Sequence, residues 1–258
     1  MKPPPQAVQT EGHGPAVVFI HGTAADKTSW RALIALIRGR VRATVYDRRG
    51  TSRWPIGTLD PPPVVSDHAD DAADVIVGLG SAPVYIRGLS FGAVVAVELM
   101  RRRPELVRGA VLFEPALAAD DDGSPVPRDL LDAVERLVAT GQVKRAGEYF
   151  CRHTIGTTAW NLLPGAVRND MRSRGLQIRD DLQANAAYAV CYQGLAEIAI
   201  PVLLLKGGRS GETFEPTLAS LHRALRRSER GIIERAEHVP YGDAWREFAE
   251  TLTGFVRA

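Results

Sequence analysis

Short apolar runs alternate with segments of helical periodicity along most of the chain, and this alternation predicts the fold class. Six runs rich in Val, Ile, Leu or Phe read as strands, namely residues 16–20, 42–46, 84–86, 110–113, 202–205 and 231–233. Apolar residues recur at helical spacing in residues 30–37, 64–79, 91–102, 213–225 and 245–256. Continuous apolar runs are typical of strands that are buried on both faces. The pattern therefore predicts an α/β fold, with a mostly parallel central sheet and helices on both faces.

One long segment interrupts this rhythm. Between residues 116 and 197 no buried strand is recognisable, whereas helical periodicity is clear around residues 130–138, 145–150 and 181–190. We therefore expect a helical cap, or lid, at residues 116–197, inserted into a core formed by residues 1–115 and 198–258. A lid that covers a site excludes water and takes part in substrate selection. An independent helical domain is the alternative interpretation of this segment.

Composition and charge narrow the class of protein. Of the 258 residues 45% are hydrophobic and 24% are charged, and the net charge is +2, which gives little reason to expect nucleic acid as a partner. No apolar run approaches the length that spans a membrane, and the N-terminus lacks the apolar segment of a signal peptide. The two cysteines lack the spacing of metal or redox motifs. We expect a cytoplasmic protein that binds a small molecule without a metal or other cofactor, as a monomer or a homodimer.

The strongest chemical signal is the segment Gly88-Leu89-Ser90-Phe91-Gly92, a G-x-S-x-G motif that follows a predicted strand and opens a predicted helix. On such a tight turn a Ser hydroxyl projects over the edge of the sheet, and small neighbours are needed for close packing. The start of the helix adds free N–H groups and positive potential, which stabilise a developing oxyanion. A serine that merely caps the helix is the alternative. The context favours Ser90 as a nucleophile.

Together with three other motifs, this segment resembles the α/β-hydrolase superfamily over nearly the whole chain. The other motifs are His21-Gly22-Thr23, Asp47-Arg48-Arg49-Gly50 and Glu237-His238-Val239-Pro240. The resemblance implies a capped serine hydrolase in which Ser90 is the nucleophile and His238 is the base. It also implies an oxyanion hole made by the backbone N–H groups of Phe91 and Thr23, and a structural role for His21.

The acid of the triad is where the sequence departs from the common family pattern. Most relatives carry an Asp in the loop after the strand that corresponds to residues 202–206, but this loop contains no Asp. Glu114, at the end of the preceding strand, is our first choice, since haloalkane dehalogenases and zearalenone-type lactonases are similar in placing their acid there. Glu212, in the loop itself, is the second choice. A carboxylate is needed to hold the imidazole tautomer and to stabilise the imidazolium.

Other residues are candidates for binding or for the core. Trp30, Trp160 and His153 are candidate substrate-binding residues, although the two tryptophans are equally explained as core. Arg87 lies in a strand that is usually apolar, and we expect it to pair with a neighbouring acid or, alternatively, to bind a substrate carboxylate. His68 is expected on a helix as a surface or partly buried residue.

The motifs together predict a serine hydrolase that cleaves a carboxylic ester or lactone of a small, apolar molecule through Ser90, His238 and Glu114. Hydrolysis of a carbon–carbon bond or a thioester on the same triad is the alternative within enzymes, because the motifs do not distinguish these bonds. A non-catalytic protein that keeps the fold and binds a small molecule is the alternative outside enzymes.

Overall fold

A seven-stranded sheet in the order β1-β3-β2-β4-β5-β6-β7 organises the part of the chain that the structure describes. The computed structural model describes residues 3–51, 54, 61–119 and 123–257. The strands are β1 (Val8–Gly12), β2 (Ala16–Ile20), β3 (Arg42–Tyr46), β4 (Val84–Leu89), β5 (Val107–Phe113), β6 (Val202–Gly207) and β7 (Ser228–Ile233). All neighbouring strands are parallel except β1, which pairs antiparallel with β3. The predicted fold class is confirmed.

The two edge strands differ most from the sequence prediction. β1 was not predicted, because a strand at the edge of a sheet is covered on few sides and needs no apolar run. β7 begins three residues before the predicted run 231–233, and its first residues are polar and largely exposed. The five strands between them, which are mostly buried, agree with the prediction to within three residues at each end.

Helices cover both faces of the sheet. The helices outside residues 116–197 are α1 (Arg31–Ile37), α2 (Val65–Gly78), α3 (Phe91–Arg102), α10 (Glu215–Ala224) and α11 (Ala244–Arg257). One apolar layer packs α2, α3 and α10 against the sheet, and the other packs α1 and α11. Alternate residues of β2 enter the two layers, because side chains of a strand point to opposite faces. Among the described residues no helix combines the length and apolar character needed to cross a membrane.

Between β5 and β6 the described chain forms helices and loops, and we call residues 116–197 the cap. Its helices are α4 (Arg128–Ala139), α5 (Val143–Ile155), α6 (Thr157–Leu162), α7 (Gly165–Ser173), α8 (Gly175–Ala186) and α9 (Tyr192–Leu195). Leu130, Val134, Phe150, Trp160 and Ile178 form a separate apolar cluster there. α6, α7 and α9 were not predicted, because they contribute few buried side chains. The cap lies over the carboxyl edge of the sheet.

Candidate active site

Ser90 lies in a strained turn between β4 and α3. Its backbone has φ 54° and ψ −121°, which a residue with a Cβ adopts at a cost of about 1–3 kcal/mol. A Cβ added at Gly88 would lie 2.5 Å from Ala93 Cα, and one at Gly92 would lie 2.1 Å from Ile20 O. Both glycines therefore permit the close approach of helix and strand that holds the turn. The turn leaves Ser90 half-buried, with its side chain at the carboxyl edge of the sheet.

Glu114 and His238 are joined by a short hydrogen bond at the same edge. Glu114 directly follows β5, is fully buried and has a positive φ of 44°. His238 Nδ1 lies 2.7 Å from Glu114 Oε2, and the backbone N–H of Gly207 donates to Glu114 Oε1 at 2.8 Å. Because an ionised carboxylate only accepts, Nδ1 carries the proton and Nε2 is left as an acceptor. This is the tautomer that a general base needs.

The second candidate acid lies elsewhere. Glu212 is 83% exposed, and its Oε1 accepts from Lys206 Nζ at 2.9 Å. The geometry therefore brings Glu114, and not Glu212, to the imidazole. Phe214, two residues further on, stacks on the His238 ring with centroids 4.7 Å apart and an interplanar angle of 10°. Sequence reasoning missed Phe214, because a lone aromatic residue before a helix carries no motif.

The loop after β2 approaches Ser90 closely. A Cβ on Gly22 would lie 3.0 Å from Leu89 O and 3.2 Å from Ser90 Cβ, so only glycine allows this approach without displacement. His21 is fully buried, its Nδ1–H donates to Gly22 O at 2.9 Å, and its Nε2 accepts from the backbone N–H of Arg48 at 3.1 Å. Burial, and then the charge of Arg48, lowers the pKa of His21 well below its usual value. His21 is thus a neutral residue of the loop framework.

Two cavities meet at Ser90. Their volumes are about 500 Å³ and about 510 Å³, and both are lined by Thr23, Ser90, Phe150 and His238. The first cavity extends under α8 towards α10 and has an apolar wall composed of Leu117, Leu130, Phe150, Leu182 and Phe214. The second extends under α5 and α7 and has an apolar wall composed of Ala24, Ile155, Val167, Met171 and Trp245. Apolar space therefore adjoins Ser90 in both cavities.

The expected binding residues lie in different places. His153 lines the first cavity and Trp30 lines the second. Phe91, the first residue of α3 and an expected oxyanion donor, lines the first cavity. The backbone N–H of Phe91 is one of those that a helix start leaves without an intrahelical partner. Trp160 is fully buried in the apolar cluster of the cap and is absent from the lining of both cavities. Its position supports a core role.

The two expectations for Arg87 are not met, and the one for His68 is wrong. The Arg87 guanidinium is fully buried between the rings of Trp30 and Phe248, at 4.5 Å from each centroid. It contacts neither an acid nor a cavity among the described residues, and burial lowers its pKa. Two aromatic faces therefore replace the expected carboxylate, since a ring face attracts a cation. His68 is 1% exposed, packed edge-on against Phe91, because α2 turns it towards the sheet.

Comparison with known proteins places the chain among enzymes of one fold. A family model described as "Alpha/beta hydrolase family" matches residues 17–251. The chain is 26% identical over 255 residues to a pimeloyl-[acyl-carrier protein] methyl ester esterase of Neisseria meningitidis, and the match covers 93% of each protein. It is 31% identical over 109 residues to the uncharacterized hydrolase YraK of Bacillus subtilis, where the match spans 42% of this chain and 40% of that protein.

Solved structures resemble the whole chain. An alpha/beta hydrolase from Sphaerobacter thermophilus superimposes with a TM-score of 0.81 at 24% identity, covering 96% of this chain and 95% of that one. An enol-lactonase from Burkholderia xenovorans superimposes with a TM-score of 0.80 at 18% identity, covering 97% and 96%. At these identities the superpositions show a common fold.

Proposed function

The chain belongs to the alpha/beta hydrolase family, and on this premise we propose that it is a serine hydrolase of a small, apolar carboxylic ester or lactone. The observation that carries the proposal is the hydrogen bond between Glu114 and His238, at the edge of the sheet where Ser90 lines both cavities. A hydroxyl after β4, a carboxylate after β5 and an imidazole after β7 are the components of nucleophilic acyl transfer.

In the proposed reaction, His238 Nε2 takes the proton of the Ser90 hydroxyl while its oxygen attacks the carbonyl carbon. Glu114 holds the Nδ1–H of His238 and stabilises the imidazolium that forms. The backbone N–H groups of Phe91 and Thr23 bind the oxyanion of the tetrahedral intermediate, each contributing about 3 kcal/mol. His238 then protonates the leaving alkoxide. A water molecule, deprotonated by His238, then attacks the acyl carbon and forms a second tetrahedral intermediate. Its bond to Ser90 Oγ breaks, His238 returns the proton to that oxygen, and the carboxylic acid leaves.

The substrate class follows from the walls of the two cavities. Each cavity has an apolar wall beside its polar lining residues, which favours an ester with hydrocarbon groups on the acyl and alcohol sides, or a lactone whose ring bridges them. The Neisseria relative is named as a methyl ester esterase, which agrees with ester chemistry. Within each cavity the substrate gains affinity from buried area, at about 25 cal/mol per Å².

A labelling experiment tests the proposal. The purified protein is expected to hydrolyse a short-chain p-nitrophenyl ester, and a fluorophosphonate probe is expected to label Ser90. Ser90→Ala should abolish both signals without changing the circular dichroism spectrum. A folded wild-type protein that is neither labelled nor active on esters and lactones would show a non-catalytic binding protein instead.

A panel of substrates separates the ester from the lactone. Linear esters with acyl and alcohol chains of two to eight carbons are compared with lactones of matched carbon number. If both cavities are used, kcat/KM rises on lengthening either chain. If only lactones are turned over, the substrate is cyclic.

A further inference from the structure

Arg48 connects the loop after β2 with a helix of the cap. It lies just after β3, is fully buried, and makes a bidentate ion pair with Asp181 of α8 at 2.9 and 2.7 Å. Its Nε–H donates to His21 O at 3.1 Å and its Nη2–H donates to Gly22 O at 3.3 Å. The guanidinium carbon also lies 4.8 Å from the centroid of the Phe91 ring. One side chain thus touches both segments that supply the expected oxyanion donors.

The contact with Gly22 O has a direct stereochemical consequence. Gly22 C=O and Thr23 N–H belong to one planar trans peptide unit, so they point in opposite directions. Arg48 Nη2–H and His21 Nδ1–H both donate to the oxygen of this unit. Holding the oxygen at one side therefore aims the N–H of Thr23 towards the other, where Thr23 lines the two cavities at Ser90.

α8 buries polar side chains as well as apolar ones such as Ile178 and Leu182. Gln177, Asp181 and Asn185, spaced four residues apart, are all buried. Gln177 donates to Ala25 O at 3.2 Å, and Asn185 donates to Ala116 O at 2.9 Å. Arg174, just before the helix, donates to Ala25 O at 3.1 Å. α8 therefore binds two places near the expected oxyanion site. One is the backbone at Ala25, two residues beyond Thr23, and the other is the Arg48 side chain.

We propose that Arg48 and Asp181 are positioning residues, which orient the Thr23 N–H for the oxyanion and make α8 of the cap part of the hydrolytic machinery. The inference rests on the proposed function. A buried ion pair contributes little net stability, because desolvation of the two charges offsets their attraction. We assign the pair a geometric role. The bidentate Asp181 carboxylate fixes the plane of the Arg48 guanidinium, which donates to the carbonyl oxygens of His21 and Gly22.

The test compares kinetics with stability. Asp181→Asn keeps the shape but loses the charge, and kcat for a p-nitrophenyl ester should fall about 10-fold to 100-fold with KM changed less than about 2-fold. Affinity for a trifluoromethyl ketone, a transition-state analogue, should fall by the same factor as kcat/KM. Glu148→Gln is the matched control, because it breaks ion pairs with Arg152 and Arg172 on the surface of the cap. This control should leave kcat unchanged.

A double variant separates positioning from stability. Arg48→Met with Asp181→Leu replaces the ion pair by apolar side chains, so thermal stability is expected to be retained while kcat stays low. This variant also carries the test if Asp181→Asn fails to fold. Recovery of wild-type kcat in the double variant would overturn the proposal, and so would a raised KM with unchanged kcat in Asp181→Asn, which would mean that Asp181 contacts substrate. A wild-type protein that is not labelled at Ser90 would instead refute the proposed function.

Discussion

Glu114 has both of its carboxylate oxygens occupied, one by the imidazole of His238 and the other by the backbone N–H of Gly207. The second bond prevents rotation of the carboxylate and so keeps the first oxygen at the imidazole. Glu212 is exposed instead, and its Oε1 accepts from Lys206 Nζ. The rigidity of a strand end thus decides which of two carboxylates can orient the base.

Exchange of each glutamate for glutamine should separate their roles. Glu114→Gln is expected to lower kcat by about 10³-fold to 10⁴-fold with little change in KM, because a neutral amide stabilises neither the required tautomer nor the imidazolium. Glu212→Gln is the control and should retain near-normal kcat. Steady-state kinetics on a p-nitrophenyl ester measures both. Loss of activity in Glu212→Gln with near-normal Glu114→Gln would show that the acid lies in the loop after β6.

Among individual residues, the sequence predicted positions that belong to local motifs and missed positions that depend on tertiary contacts. Ser90 could be found from the strand, the motif and the helix around it. Arg48 and Asp181 are 133 residues apart, and neither has a local pattern that predicts the pair. Arg87 violated the expected apolar pattern, but the two rings that enclose it come from other parts of the chain.

α3 shows how an element can be predicted completely when every local signal agrees. The sequence predicted residues 91–102, and the structure has Phe91–Arg102. Ten of these residues are buried, since the helix runs along the centre of the sheet. β1 shows the opposite case, because its position comes from backbone pairing with β3 and its own side chains carry no periodic apolar signal. Central elements are thus easier to predict than edges.

The junction of β4 and α3 should tolerate no side chain at Gly92. In Gly92→Ala the added Cβ meets the backbone oxygen of Ile20, which cannot move without shifting β2. We expect a loss of about 1–3 kcal/mol in the free energy of unfolding and a large loss of activity, since Ser90 is displaced. Urea denaturation and ester hydrolysis measure the two effects.

Gly254→Ala, in a different helix, is the matched control for Gly92→Ala. Gly254 lies in α11, and a Cβ there would have no atom within 4 Å outside its own helix backbone. Because alanine favours helix more than glycine does, this variant should be more stable by about 0.5–1 kcal/mol with unchanged activity. If Gly92→Ala were as stable and as active as Gly254→Ala, the turn at Ser90 would not depend on close packing of α3 against β2.

In the whole molecule, the candidate catalytic residues and the framework residue His21 follow parallel strands that point the same way. His21 follows β2, Ser90 follows β4, Glu114 follows β5, and His238 lies in the loop after β7. In open α/β sheets ligands bind outside these carboxyl ends. The sequence could predict this shared edge from the order of strands. It could not predict that buried polar residues of α8 bond Arg48 and the backbone at Ala25, because these partners lie far away in the chain.

The fold also encloses two imidazoles near one guanidinium, and this determines how stability depends on pH. Burial, followed by the charge of Arg48, lowers the pKa of both His21 and His68 well below 6.5. In the unfolded chain each imidazole takes up a proton as the pH falls through about 6.5, whereas in the folded protein it stays neutral. Below this pH the unfolded state therefore binds more protons than the folded state does. The free energy of unfolding decreases as the pH falls. Each group contributes a slope that approaches about 1.4 kcal/mol per pH unit.

The contribution of His68 can be isolated by substitution, because neither ring nitrogen of His68 has a hydrogen-bond partner in the described part of the chain. Unfolding of His68→Leu should take up one proton fewer than unfolding of the wild type. Below pH 6 the free energy of unfolding of the variant should therefore fall by about 1.4 kcal/mol less per pH unit. Urea denaturation between pH 5 and 7.5 measures this difference in slope. His222→Leu is the control, because His222 is an exposed residue of α10. Equal slopes for His68→Leu and the wild type would mean that the folded protein accommodates a charged His68, for which the observed burial beside Arg48 provides no compensating group.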